Sequence, residues 1–242
     1  MADVRGAGVA GRVALVTGAG SAQGIGFASA AILAAQGARV AITSTTERIF
    51  QRRAELPGSF AFPADLTDPC QVAALVGEVE QALGPIDILV NNAGMIQTGH
   101  GEETGGPFLA LDDAQWLRGL ELNLMTAVRV TRAVLPGMVA RGYGRVVQVS
   151  SVTGPLVSNP GSSIYSAAKA AMTGWTRALA IEVAGAGVTV NCVGPGWIAT
   201  ASQAPAEAAA GPAAPAGRGG AAARGGARVG LLGRPGARRG PG

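Results

Sequence analysis

The chain has 242 residues, 48% hydrophobic but only 4% aromatic and 14% charged, with a formal net charge of +4. This is enough chain to bury the core of one α/β domain. No uncharged apolar run is long enough to span a bilayer, although mean hydropathy is +0.30.

A sequence pI near 9.8 points at first sight to a nucleic-acid binder, but the charge map opposes that. Residues 1–200 hold 13 Lys+Arg against 14 Asp+Glu, while residues 201–242 hold six arginines and one acid, Glu207. The basicity belongs to the tail, so neither nucleic acid nor membrane is expected as a partner. Residues 1–11 lack a basic region followed by an apolar segment, so no signal peptide is expected. Cys70 and Cys192 lie far apart without metal-ligand spacing. They read as small buried hydrophobes of a reducing compartment, and the expected location is cytoplasmic.

Strands and helices alternate up to about residue 200. Val13 to Val16 is a short buried-strand run. A Gly-rich turn leads into a helix over Ile25 to Gln36, closed by Gly37. Arg39 to Thr43 reads as a strand, Thr46 to Glu55 as a helix, and Phe60 to Phe62 as a strand. Asp65 and Asp68 offer capping oxygens for a helix ending near Leu83. Ile86 to Val90 is a fourth strand, ending at Asn91. A loop rich in Gly, Thr and Glu covers residues 97–107. One long helix is expected over Asp113 to Arg141, with Leu117, Leu120, Leu124, Ala127, Val128, Thr131 and Leu135 on one face. Arg145 to Val149 is a fifth strand. Ser163 to Ala184 is a helix with Met172, Trp175, Leu179 and Val183 in one stripe. Val188 to Asn191 is a sixth strand.

Repeated βα units of this length imply a doubly wound parallel sheet with helices on both faces, in a single domain over residues 1–200. Ligands of such sheets bind beyond the C-terminal strand ends. The tail, 201–242, is different: 36 of its 42 residues are Ala, Gly, Pro or Arg. Its helical periodicity is weak, and no strand is convincing beyond Val229 to Leu232. It reads as an atypical, flexible extension. A reading-frame change in GC-rich DNA would produce the same composition.

Two clusters carry chemistry. Residues 17–26, Thr-Gly-Ala-Gly-Ser-Ala-Gln-Gly-Ile-Gly, lie between the first strand and first helix. There glycines admit a pyrophosphate to the backbone N–H groups, and the helix N-terminus adds partial positive charge. Tyr165 and Lys169 lie one turn apart on one helix and share a face. Lys169 is also the only lysine among 19 basic residues. A phenol ionises near about 10 in water, too high for ready exchange at neutrality, and a cation one turn away favours the phenolate. His100, the sole histidine, lies in the Gly-rich loop and reads as a surface residue. No metal cluster is apparent.

These motifs, with Asn91-Asn-Ala-Gly94 and Pro195-Gly196, resemble those of the short-chain dehydrogenase/reductase family, in its ketoreductase branch. The resemblance covers roughly residues 11–200, with two extra residues in the Gly-rich loop. It implies a Rossmann-like fold and an NADP(H)-dependent oxidoreductase. The implied catalytic residues are Asn123, Ser151, Tyr165 and Lys169. Tyr165 is the acid in reduction and the base in oxidation. Lys169 also holds the nicotinamide ribose, Ser151 holds the substrate carbonyl with Ser150 as the alternative register, and Asn123 opens its helix locally to hold a relay water. The implied cofactor contacts are Gly18, Ser21, Gly24, Ile25 and Gly26 at the phosphates, and Asp65 and Leu66 at the adenine. Asn91, Ala93 and Gly94 follow the fourth strand. Tyr165, Lys169, Pro195, Gly196, Ile198 and Thr200 stand beside the nicotinamide.

Cofactor choice rests on the end of the second strand. A carboxylate there would bind the ribose hydroxyls of NAD, whereas Ser44, Thr45 and nearby Arg48 suit the 2′-phosphate of NADPH. The substrate expected is a small carbonyl compound, such as a 3-oxoacyl thioester or a xenobiotic ketone. Met95, Ile96, Gln97, Thr153, Leu156, Val157 and Trp197 are candidate walls. A homodimer or homotetramer through the two long helices is implied. The family's lid and last strand have no counterpart in the tail sequence, which leaves a cofactor-binding protein with little turnover as the second reading.

Overall fold

The computed structural model describes residues 8–94, 104–196, 198–199 and 220–233. Its centre is a six-stranded sheet in the order β3-β2-β1-β4-β5-β6, with every neighbouring pair parallel. The strands are β1 (Val13–Val16), β2 (Arg39–Ser44), β3 (Phe60–Pro63), β4 (Ile88–Asn91), β5 (Gly144–Val149) and β6 (Val188–Val193). The helices between them are α1 (Ile25–Ala35), α2 (Arg48–Glu55), α3 (Pro69–Leu83), α4 (Asp113–Leu120), α5 (Thr126–Ala140) and α6 (Ser163–Glu182). The doubly wound parallel sheet expected from the βα repeats is therefore the fold.

Strand alternation divides the core in two. Leu15, Leu89, Val146 and Val190 pack with Val72, Leu75 and Val79 of α3, with Val130 and Val134 of α5, and with Leu179 of α6. Their sequence neighbours Ala14, Val16, Ile88, Val90 and Val147 point to the other face, against Ala30 and Leu33 of α1 and Ile49 of α2. Successive side chains of a strand face opposite ways, so a strand buried on both faces must be apolar throughout. Strands β1 and β4 are buried at every position.

Three features differ from the sequence reading. The long helix expected over Asp113 to Arg141 is interrupted by a π-helical turn, Glu121–Met125. One extra residue rotates the helix face by about 100°. Leu117 before the turn is therefore out of line with the buried Val130 and Val134 after it, and is 70% exposed.

The tail contains structure. Strand β7 (Ile198–Ala199) pairs in parallel with β8 (Gly220–Ala221), and α7 (Ala222–Leu232) follows. Val229, expected within a possible strand, is helical and fully buried in the α1 side of the core. A Cβ built on Gly226 would stand 2.9 Å from the backbone carbon of Ala28 and 3.0 Å from the nitrogen of Ser29. The glycines that weaken the helical signal are what let α7 lie close on α1.

Cys70, expected buried, is exposed, and Cys192 is half-buried. Cys70 sits in the first turn of α3, where its N–H donates to Asp68 Oδ1 at 2.8 Å on the solvent side. Among the described residues no helix is long and apolar enough to cross a membrane.

Candidate active site

The Gly-rich loop leaves β1 at Thr17 and enters α1 at Ile25. Its shape is set by contacts to the strand-β4 end. Asn92 donates from Nδ2 to the carbonyls of Thr17 and Gly18, at 3.2 and 3.0 Å. Thr17 Oγ1 accepts the N–H groups of Asn92 and Ala93, at 3.0 and 3.1 Å. Gly18 has φ +67°, and a Cβ there would lie 2.8 Å from Ala93. A Cβ on Gly26 would lie 2.6 Å from both Asn92 Nδ2 and the Gly18 carbonyl. Glycine is thus required by close approach at two positions. Thr17 and Asn92 were not singled out in the sequence; the doubled asparagine after β4 was the available signal.

The residues fit a dinucleotide phosphate. The N-cap position of helix α1 is Gly24, which provides no side-chain cap, and no acidic residue lies in its first turn. The first N–H groups of a helix need an acceptor, and the macrodipole favours an anion there. Ser21 lies against Gly24, its carbonyl accepting the Gly24 N–H at 3.0 Å. A Cβ on Gly20 would meet Ser44 Oγ at 2.9 Å, so the loop touches the β2 end. There Ser44 Oγ donates to the Thr46 carbonyl at 3.1 Å, and Arg48 Nε donates to Thr46 Oγ1 at 3.3 Å. Thr45 is half-buried beside them, and Glu47 is exposed.

Asp65 follows β3, and its Oδ1 accepts both the N–H and the hydroxyl of Thr67, at 2.9 and 2.8 Å. The Leu66 side chain belongs to the buried core. Asn91 is directed away from the loop: its Nδ2 donates to Thr131 Oγ1 on α5 at 2.8 Å. Any cofactor contact at residue 91 would therefore use its backbone.

Tyr165 and Lys169 project from the N-terminal half of α6. Lys169 is 3% exposed. Its Nζ stands 5.7 Å from the centroid of the Tyr165 ring and donates to the Val149 carbonyl at 3.0 Å. Burial pushes the ammonium down to about 8, with Cys192 acting in the opposite direction. Asn123 is buried in the π-helical turn, donating from Nδ2 to the Gly119 carbonyl at 3.1 Å. The local opening expected at Asn123 is present. A Cβ built on Gly94 would stand 3.3 Å from Asn123 Oδ1 and 3.5 Å from Lys169 Nζ, so the three residues meet at one point.

The two serines after β5 face different ways. Ser150 is buried, and its hydroxyl donates to the Lys169 carbonyl at 2.9 Å. Ser151 is half-exposed and accepts the Thr153 N–H at 3.1 Å, which leaves its hydroxyl hydrogen for an outside acceptor. This geometry favours the Ser151 register. Pro195 and Gly196 follow β6 alongside, with Val152 N–H donating to the Pro195 carbonyl at 2.9 Å. Ile198 lies in β7. Of the candidate walls, Leu156 and Val157 are exposed. Thr200, Met95, Ile96, Gln97, His100 and Trp197 lie outside the described residues.

A family profile described as short chain dehydrogenase matches residues 12–211. Nodulation protein G of Rhizobium sp. (strain N33) is 42% identical over 193 residues, 79% of this chain and 75% of the relative. The 3-oxoacyl-[acyl-carrier-protein] reductase FabG of Escherichia coli (strain K12) is 37% identical over 192 residues, 78% of this chain and 75% of the relative. Among solved structures, a single-substitution variant of actinorhodin polyketide ketoreductase with NADPH aligns with a TM-score of 0.82 and 33% identity. That alignment covers 93% of this chain and 91% of the other.

Proposed function

The chain belongs to the short-chain dehydrogenase family of oxidoreductases, and we propose that it reduces a ketone reversibly to a secondary alcohol with NADPH, using Tyr165 as the acid. One observation carries this reading: the ammonium of the only lysine is buried 5.7 Å from the Tyr165 ring centroid, at the C-terminal edge of the sheet.

The Gly-rich loop and the start of α1 would hold the diphosphate. Asp65 would lie towards the adenine, and Gly94, Pro195, Gly196 and Ile198 towards the nicotinamide. A bound reduced nicotinamide supplies the hydride for the carbonyl carbon. Ser151 would orient the carbonyl oxygen by donating to it. Tyr165 would then give its proton to that oxygen as negative charge develops. The Lys169 ammonium stabilises the resulting phenolate. An ammonium has three donors and Val149 takes one, so two remain for a ribose hydroxyl and a relay water beside Asn123.

For the cofactor, the β2 end carries Ser44, Thr45 and Arg48 and no carboxylate at the strand terminus. That supports a 2′-phosphate, as does the NADPH of the polyketide ketoreductase. The name of the Escherichia coli relative supports a 3-oxoacyl thioester as substrate, with a xenobiotic ketone as the other class. A homodimer or homotetramer through the long helices would cover Leu117 and Ile181, which stand 70% and 74% exposed. A monomer by light scattering would remove that part.

The test follows reduced-nicotinamide absorbance with a panel of ketones. Wild type should turn over at least one of them, and Tyr165→Phe should lose about 10³-fold or more in kcat while still binding NADPH. A wild type that binds NADPH but reduces no ketone would leave the binding-only reading instead.

A further inference from the structure

Lys169 is held at both ends by two consecutive residues of one strand end. Its Nζ donates to the carbonyl of Val149, the last residue of β5, at 3.0 Å. Its own carbonyl accepts the hydroxyl of the next residue, Ser150, at 2.9 Å. The two hydrogen bonds run in opposite directions between the same two segments. Thr173, one turn along α6, donates to the same Lys169 carbonyl at 3.1 Å and lies 3.3 Å from Ser150 Oγ. Ser150 N–H in turn donates to the Val193 carbonyl of β6 at 2.8 Å. The strand end that grips the lysine is therefore fixed in the sheet.

We infer that Ser150 is a positioning residue for Lys169, its hydroxyl setting where the lysine backbone sits on β5 and so where the ammonium lies relative to Tyr165 and the Val149 carbonyl. This rests on the proposed use of the Tyr165–Lys169 pair. The geometry gives the two neighbouring hydroxyls different roles, since Ser151 faces outward to a substrate and Ser150 faces inward to the helix.

A long side chain with four rotatable bonds places its head reproducibly only if its root is fixed. The Val149 carbonyl fixes the head and Ser150 fixes the root. Loss of the root contact would let α6 shift on β5, and small displacements of a reacting group cost rate steeply. The Thr173 bond to the Lys169 carbonyl lies within α6; Thr173 meets the strands at longer range, 3.3 Å from Ser150 Oγ and 3.9 Å from Cys192 Sγ, so Ser150 makes the shortest bond between the lysine root and β5.

The sole lysine allows a direct test. Protein labelled with ¹⁵N at lysine Nζ gives one side-chain signal, from Lys169. Ser150→Ala should shift and broaden that signal in the folded, cofactor-free protein. It should also lower kcat about tenfold, with the ketone KM within about twofold. Ser150→Thr, which keeps the hydroxyl, should return both readouts towards wild type. If the alanine variant does not fold, Ser150→Cys, near in size but a weak donor, should displace the signal in the same direction.

A folded Ser150→Ala or Ser150→Cys with the wild-type lysine signal would overturn the inference. A Tm loss with kcat unchanged below the transition would also overturn it, leaving Ser150 as an ordinary packing contact. The lysine signal is read without turnover. A wild type inert towards every ketone would therefore sink the proposed function while leaving this result readable.

Discussion

Replacing Lys169 by methionine isolates the cost of burying the ammonium. In the folded chain, burial brings Lys169 down from 10.5 to about 8. Between those values the unfolded chain binds more protons than the folded one, so this group adds stability as pH rises through that window. Below about pH 8 the cost of burying the charge is fully present, and it is relieved only as the folded lysine loses its proton. At about 1.4 kcal/mol per unit, the shift is worth on the order of 3 kcal/mol. Methionine avoids that cost but gives up the bond to the Val149 carbonyl, worth about 1 kcal/mol. In the cofactor-free state Lys169→Met should therefore be more stable than wild type at pH 7 by on the order of 2 kcal/mol. The gap should close by about pH 10. Urea unfolding of both proteins between pH 7 and 10, at one fixed protein concentration, measures it. A difference that stays constant across that range, or grows with pH, would refute the reasoning.

Other substitutions test other parts of the site and fold. Gly26→Ala places a methyl 2.6 Å from Asn92 Nδ2 and the Gly18 carbonyl; NADPH affinity, read by nucleotide fluorescence, should fall at least about tenfold. Ser44→Asp puts a carboxylate at the β2 end, and the ratio of kcat/KM for NADPH over NADH should drop by roughly 10- to 100-fold. Gly226→Leu must push α7 off the backbone of Ala28 and Ser29. It should cost about 1–3 kcal/mol in urea unfolding, and unchanged stability would mean that α7 does not need its close seat on α1.

The sheet was readable because its strands are short apolar runs punctuated by Gly, Asn and Ser, and because each polar motif follows one of them. Helical spacing and a composition with one lysine put Tyr165 and Lys169 on one face, but their catalytic role came from the resemblance carried by the surrounding motifs. The split of the long helix was hidden from periodicity, although the resemblance implied an opening at Asn123. Leu117, Leu120, Leu124 and Val128 keep an unbroken periodicity that a π-helical turn cancels, and only Asn123 among leucines marked the place. The choice between Ser150 and Ser151 could not be made from two identical side chains, because it depends on which one the strand turns towards α6. Helix α7 was obscured by Gly225, Gly226 and Gly230, residues that weaken a helix in isolation and allow it to pack tightly in context. Cys70 was misread because its type is usually buried, whereas its position in the first turn of α3 is set by the Asp68 cap.

The chain holds two tyrosines, so an ultraviolet titration of phenol ionisation can be read in full. Tyr143 is held up by burial, against the pull of Arg145 and Arg12, and should ionise last. The account predicts two separate steps in wild type, the earlier one absent from Tyr165→Phe and moved to higher pH in Lys169→Met. An earlier step that persists in Tyr165→Phe, or one that Lys169→Met leaves where it is in wild type, would contradict the claim that the Lys169 ammonium readies Tyr165 to exchange its proton.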